Sequence, residues 1–123
     1  MRSAERRQVN VLEIKCLGSL VGVSRMDRVR NEEVRRRAGT ERELASRADQ
    51  RVLRWFGHVE RMDDYRMARG VLMAEVSGGR VRGRPKLGWM DGVKMALGNR
   101  GMTVEAARQC AKDRKPWRAL EHI

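Results

Sequence analysis

The sequence contains few of the residues that usually build a rigid core or a cross-linked scaffold. Among 123 residues, aromatic side chains account for only 4%, and there are two cysteines and two prolines. A core with so few rings must depend on Leu, Val, Ala and the eight methionines, which fill space adaptably but specify shape weakly. Cys16 and Cys110 lie far apart and form no disulfide framework, as is typical of a reducing compartment. The length predicts one small domain, or a fragment of one.

Long apolar runs are also missing. No apolar stretch approaches the length of a membrane span, and the segment 1–10 is polar and lacks the apolar centre of a signal peptide. We therefore expect a soluble protein of the nucleus or the cytoplasm, neither secreted nor partnered with a membrane.

Catalytic and metal-binding patterns are absent as well. No serine or cysteine is followed by a base in a recognisable pattern, and no phosphate-binding Gly-x-x-x-x-Gly-Lys occurs. The two cysteines and two histidines lack the spacing of zinc-ligand pairs. Asp63 and Asp64 are explained by capping of a helix after Met62. We predict that the chain is not an enzyme by itself and needs neither metal nor cofactor.

Arginine is what the sequence has in abundance. There are 28 Lys and Arg against 16 Asp and Glu, a formal net charge of +12, and only five of the basic residues are lysines. The planar guanidinium fork matches phosphate oxygens and stacks on bases, so this excess favours a nucleic-acid partner, RNA or DNA. A basic solubilising surface, an arginine-rich codon bias, and contact with an acidic protein or membrane surface remain as alternatives.

The periodicity of apolar residues predicts an all-α fold of about five to six helices. Helix ends are indicated by Gly22 and Gly39, and by a Thr40-x-x-Glu43 capping box before the longest helix. Pro116 should kink or end the last helix just before Trp117. The predicted helices cover residues 9–20, 31–38, 41–62, 63–76, 89–97 and 104–116.

The longest predicted helix carries two stripes on one helical wheel. Leu53 fits neither stripe. The apolar stripe comprises Leu44, Ala48, Val52, Trp55, Val59 and Met62, widened by Ala45 and Phe56. The basic stripe comprises Arg47, Arg51, Arg54, His58 and Arg61. A solvated face is the ordinary explanation of such a stripe, but the absence of any acid along it favours contact with nucleic acid.

A glycine-rich basic segment, 77–88, separates an N-terminal helical unit, 1–76, from a helical pair, 89–123. It holds four glycines and a proline, so it cannot be a regular helix. Part of it resembles an AT-hook, in which Gly-Arg-Pro lies in the minor groove of A·T-rich DNA. Contact with any phosphate backbone and a plain solvated linker are the alternatives. Its basic residues are Arg80, Arg82, Arg84 and Lys86.

The three tryptophans, Trp55, Trp89 and Trp117, are interpreted first as core or interface anchors. Base stacking is the alternative for any of them, and it requires an exposed ring. Trp55 lies within the apolar stripe, which favours the core interpretation.

Several segments occur in an order that resembles one known family. The chain is similar to the region downstream of the polymerase core in endonuclease–reverse transcriptase polyproteins of non-LTR (LINE-type) retrotransposons. The resemblance covers roughly residues 9–120 and its segments are Glu13-Ile14-Lys15-Cys16-Leu17, Gly22-Val23, Arg25 to Val34, Val52-Leu53-Arg54-Trp55-Phe56-Gly57-His58-Val59-Glu60-Arg61-Met62, Gly83-Arg84-Pro85, Trp89 to Lys94, and Ala111-Lys112-Asp113-Arg114 with Trp117.

The resemblance implies a particular place in a larger protein. Full-length relatives carry an endonuclease and an RNA-directed DNA polymerase upstream, and copy element RNA at a nicked DNA target. The paired polymerase aspartates belong to that upstream region. This chain would correspond to the thumb and tail, which contact template RNA or target DNA beside a reverse-transcriptase core. Alternatives are an interaction module that docks on a polymerase, and an expressed remnant without a selected function.

The sequence also departs from the family pattern. Gly18, Gly70 and Gly88 stand where the family commonly has Arg or Lys, and Pro116 interrupts the last helix. Preference for RNA or DNA, and the oligomeric state, are left open by the sequence.

Overall fold

Every regular element that the structure describes is helical. The computed structural model describes residues 2–74, 82–83 and 88–122. Within those ranges the chain forms seven α-helices and one turn of 3-10 helix, which confirms the all-α prediction and slightly exceeds the expected number of helices. The helices are α1 (Ser3–Val21), α2 (Asn31–Arg37), α3 (Leu44–Glu60), α4 (Met67–Met73), α5 (Trp89–Gly98), α6 (Val104–Ala111) and α7 (Arg114–Glu121), with the 3-10 turn at Arg25–Asp27.

The chain divides into two compact units, residues 1–49 and 50–123, and the boundary falls within α3. The predicted division at 77–88 stays a prediction, because most of that segment lies outside the described residues. None of the described helices combines the length and the apolar character needed to cross a membrane.

In the first unit, ion pairs hold α1 to the segments that follow it. Arg35 of α2 donates to Glu13 of α1 at 3.1 Å, and both side chains are almost fully buried. Arg6 of α1 donates to Asp49 at 2.6 Å. α1 ends at Gly22, which adopts the left-handed conformation (φ +72°) predicted for a glycine at a helix end.

The short helix α2 carries its own charge cluster. The Glu33 carboxylate accepts hydrogen bonds from Arg36 at 2.6 and 2.8 Å and from Arg37 at 2.8 Å. These two guanidinium groups, Arg36 more than Arg37, lower the pKa of Glu33 to about 2. Such pairs at spacings of three and four link neighbouring turns of a helix.

The start of α3 differs from the prediction. The helix begins at Leu44, whose backbone N–H donates to the Glu13 carboxylate of α1 at 3.0 Å. The predicted capping box is therefore wrong: Thr40 instead accepts a hydrogen bond from Arg47, and the Glu43 carboxylate accepts from two side chains of α1. A carboxylate of α1, distant in the sequence, thus satisfies a free N–H at the start of α3 in place of a local capping box.

The second unit is built around a single apolar cluster. Its buried members come from α3 to α7 and are Leu53, Phe56, Val59, Leu72, Val93, Ala96, Leu97, Ala107, Ala111, Trp117 and Leu120. Helical periodicity predicts Trp89, Val93, Ala96 and Leu97 as the inward residues of α5, and Ala107, Cys110 and Ala111 as those of α6. Trp89 is 45% exposed and Cys110 is partly buried, whereas the other five are fully buried.

The buried face of α3 matches the predicted stripe only in part: Ala45, Phe56 and Val59 are buried as predicted. Leu53, which fitted neither predicted stripe, is fully buried, whereas Trp55 is 46% exposed. The buried residues of α3 include Ala45 and Asp49 in the first unit and Leu53, Phe56 and Val59 in the second. The acid among them makes the buried positions look less apolar in the sequence. Asp49 is tolerated inside because Arg6 neutralises it.

Neither Asp63 nor Asp64 caps the helix that follows, so the predicted cap is wrong. α4 begins after Arg66, and Asp64 instead pairs with Arg69 at 2.8 Å. The Arg69 guanidinium also donates to the backbone carbonyls of Val59 and Glu60 at the end of α3. Arg69 thereby satisfies carbonyl groups that the last turn of a helix leaves free.

Pro116 lies at the start of a separate helix rather than at the end of a long one. α6 ends at Ala111, and Asp113 caps α7 by accepting from the N–H of Lys115 at 3.0 Å. Pro116 occupies the first turn of α7, where a backbone N–H has no acceptor within the helix, so the N–H that proline lacks is not needed. The prediction that Pro116 ends or kinks one helix before Trp117 is wrong, and α7 is the additional helix.

Candidate nucleic-acid interface

A tryptophan and a glycine fix α7 against α3. The Trp117 indole is almost fully buried, and its N–H donates to the backbone carbonyl of Leu53 at 3.1 Å. The ring lies over Gly57, where a Cβ would stand 2.0 Å from the indole nitrogen. Its centroid is 5.8 Å from that of Phe56. Only glycine allows this approach, and it brings α7 beside the turns of α3 that carry the predicted basic stripe.

The two helices enclose a strongly basic cleft. Its volume is about 760 Å³, and five arginines line it against one carboxylate, an excess of four positive charges without counting the histidines. The lining residues are Arg51, Arg54, Trp55, His58 and Arg61 of α3 with its C-terminal extension, and Arg114, Trp117, Arg118, Glu121 and His122 of α7 with its cap.

Three of these arginines are uncommitted. Arg51, Arg114 and Arg118 are exposed. Their guanidinium groups make no hydrogen bond or ion pair with any residue in the described ranges. A planar guanidinium donates in a fork that fits two oxygens of a phosphate or carboxylate. These three side chains can therefore bind an anion without breaking an internal contact.

Arg61 has a structural contact as well as a charge. Its guanidinium donates to the backbone carbonyl of Ala111, the last residue of α6, at 2.9 Å. Burial, and then the positive charge of nearby Arg114, lower the pKa of Arg61. An arginine stays protonated in proteins, so Arg61 still contributes its charge to the cleft.

The basic stripe of α3 does have an acidic neighbour, which comes from α7. The Glu121 carboxylate is 5% exposed and lies 3.5 Å from the Arg54 guanidinium. The sequence shows no acid along the stripe because Glu121 is 67 residues away. Pairing with Glu121 holds Arg54 at the wall of the cleft and offsets part of its charge.

The histidines of the cleft differ in their surroundings. His58 is exposed on the wall that α3 provides. The ring of His122 lies 3.1 Å from the amide nitrogen of Gln50. The exposed His58 ring can take part in hydrogen bonds to a ligand oxygen.

The predicted basic residues divide into three groups. Arg51, Arg54, His58 and Arg61 come together in the cleft. Arg47 does not: it belongs to the first unit and donates to Thr40 at 2.6 Å. Arg82 is exposed, while the other predicted residues of its segment lie outside the described residues: Arg80, Arg84 and Lys86.

Arg114 and Arg118 were not predicted from the sequence. Their spacing of four places them on one face of α7, where both side chains are exposed. That signal becomes visible once α7 is recognised as a helix of its own. The Asp113 cap followed by Pro116 in the first turn is the local pattern that would have marked it.

Two of the three tryptophans lie outside the core. Trp55 and Trp89 are 46% and 45% exposed, and neither belongs to the apolar cluster. Their rings form an edge-on pair with centroids 4.7 Å apart and planes at 72°. The core interpretation is therefore correct for Trp117 and wrong for Trp55 and Trp89.

The cleft has the chemistry of an anion site. Arginine guanidinium groups and an exposed indole edge line it, and they match phosphate and aromatic groups respectively. Within the described part of the chain, no three His, Cys, Asp or Glu side chains come together as metal ligands would. Comparison of the chain with protein-family models, with curated proteins and with solved structures finds no match.

Proposed function

We propose that this chain binds nucleic acid, without catalysing a reaction on it, through the basic cleft between α3 and α7. The observation that carries the proposal is the convergence of five arginines from two distant segments on one cleft of about 760 Å³. Phosphate groups at regular intervals are the ligands that such an array neutralises best.

The arginines have different parts in this proposal. Arg51, Arg114 and Arg118 contact phosphate oxygens, since their guanidinium groups are exposed and uncommitted. Arg61 adds charge from a fixed position, because Ala111 already holds one of its nitrogens. The basic segment that contains Arg80, Arg82, Arg84 and Lys86 supplies a second contact with the phosphate backbone.

The resemblance to retrotransposon polyproteins suggests which nucleic acid is involved. We propose that the chain corresponds to the C-terminal tail of a LINE-type reverse transcriptase, and that it contacts template RNA or target DNA beside the polymerase core. The order of segments in the sequence and the basic cleft support this origin together.

A salt titration tests the proposal. Binding of labelled RNA and duplex DNA is measured by fluorescence anisotropy from low to moderate salt, where each neutralised phosphate contributes about −0.7 to −0.9 to the slope of log K against log salt. We expect Arg114→Gln with Arg118→Gln to weaken binding and flatten this slope. Lys115→Gln is the matched control, because Lys115 is exposed on the same helix but does not line the cleft.

Two results would contradict this function. Binding that is absent at low salt would exclude it and leave a docking module or a functionless remnant. Equal binding by the double arginine variant and the Lys115→Gln control would place the contact elsewhere on the chain. Replacing Arg82 and Arg84 by Ala tests the second contact separately, and unchanged affinity would remove that segment from the interface.

A further inference from the structure

We infer that the cleft accepts a single strand, with an unstacked base lying against the pair formed by Trp55 and Trp89. This inference rests on the proposed function for the phosphate contacts. It adds the class of ligand, single-stranded RNA or DNA, and the side chains that distinguish it from a duplex.

The tryptophan pair has the exposure that stacking requires. Each indole leaves nearly half of its surface in water, and both lie outside the apolar cluster that stabilises the second unit. In an edge-on pair, the partner covers one face of one ring at most. Ring surface therefore remains available to a planar ligand. The chain has few aromatic residues, and these two large rings add little to a core. Their exposure therefore indicates a binding surface.

The pair adjoins the arginines that would hold phosphate. Trp55 itself lines the cleft, between Arg54 and His58 on α3. Arg51 lies four residues before Trp55, about 6 Å along the helix axis. A nucleotide can thus place its phosphate among the arginines while its base reaches the indoles.

This arrangement selects for strandedness. In a duplex the faces of the bases are stacked inside, so an indole at the protein surface cannot lie against one. In a single strand, bases can turn out and stack on aromatic side chains while arginines follow the backbone. The phosphate contacts alone would bind both forms, and the tryptophans would add affinity only for the single strand.

Three ligands with equal numbers of phosphates per strand test this inference. The first is a labelled single strand of about twelve nucleotides, a length within the range that one single-strand-binding domain covers. The second is the same strand annealed to its complement, and the third is an abasic strand of equal length. We expect Trp55→Ala to weaken binding of the single strand about 5- to 150-fold, the range for one stacked base, and to leave the abasic strand unaffected. Trp89→Ala should act in the same direction, and Trp55→Phe should retain most of the affinity.

Controls separate stacking from folding. Tyr65→Ala removes another aromatic of the same unit, 80% exposed and outside the cleft lining, and should bind like the unmodified chain. Circular dichroism confirms that each variant keeps its helices. Intrinsic fluorescence gives a second readout, because the single strand should quench Trp55 and Trp89 whereas the abasic strand should not.

The outcomes distinguish this inference from the proposed function. If none of the three ligands binds at low salt, the proposed function fails. If all three bind with a salt-dependent affinity that Trp55→Ala and Trp89→Ala do not alter, the phosphate contacts stand and the stacking inference is overturned. Equal weakening of the single strand and the abasic strand would also overturn stacking, because an abasic strand offers no base.

Discussion

Replacing Gly57 with alanine should destabilise the second unit, although alanine is the better helix former. The added Cβ would stand 2.0 Å from the Trp117 indole nitrogen and within 2.7 Å of two ring carbons. Ordinary contact begins at 3.4 Å, so the ring must shift by about 1.4 Å, the difference between the two distances. The ring is 1% exposed and packed against Phe56, so that shift must disturb its packing in the core.

The expected destabilisation follows from three contributions. Displacing the indole breaks its hydrogen bond to the Leu53 carbonyl and leaves a buried N–H unpaired, which costs about 1–3 kcal/mol. Overpacking the core costs about 1–3 kcal/mol more. The gain in helix propensity from Gly to Ala returns about 1 kcal/mol. We expect Gly57→Ala to lower the free energy of unfolding by about 3 kcal/mol.

Urea unfolding followed by circular dichroism measures this change, and Gly70→Ala is the matched control. Gly70 lies within α4, and no atom lies within 4 Å of the point where an added Cβ would stand. The same change there should therefore be neutral or raise stability by up to about 1 kcal/mol. In a Trp117→Leu background, Gly57→Ala should cost much less, because the clashing ring is gone. A Gly57→Ala variant as stable as the unmodified chain would refute the proposed packing of α7 on α3.

Three further outcomes follow from charges in the two units. The pKa of Glu33 in the folded protein is about 2, against an ordinary value of 4.5. Its ionised carboxylate therefore stabilises the folded protein fully above pH 4.5, and this stabilisation is lost as the pH falls through the folded value. Glu33→Gln should lower the melting temperature at pH 7 but not near pH 2, and a difference that does not depend on pH would contradict this. Arg61→Ala should lower the free energy of unfolding by about 1–3 kcal/mol, because the Ala111 carbonyl loses its donor, and unchanged urea unfolding would exclude that role. Glu121→Gln removes the acid beside Arg54, so oligonucleotides should bind more tightly at low salt in anisotropy measurements; weaker binding would count against the cleft.

Half of the candidate site could be predicted from the sequence. The spacing of Arg51, Arg54, His58 and Arg61 places them on one side of a helix whatever that helix packs against. The other half depends on α7, whose position is set by the contact of Trp117 with Gly57 across a long stretch of chain. No short-range pattern encodes such a contact.

The sequence by itself determined the features that depend on neighbouring residues. The helical class, most inward residues of α5 and α6, and the turns at Gly22 and Gly39 follow from periodicity or from the freedom of glycine at positive φ. These effects act within a few residues, so they are already present in the order of the side chains.

Only the tertiary structure decided which faces are buried and which charges meet. Leu53 is buried and Trp55 exposed because Leu53 packs in the apolar cluster of the second unit, whereas Trp55 lies outside it. Glu121 joins the basic cleft for the same kind of reason, since α7 docks on α3. Burial and ion pairing depend on partners far away in the chain, and folding alone brings those partners together.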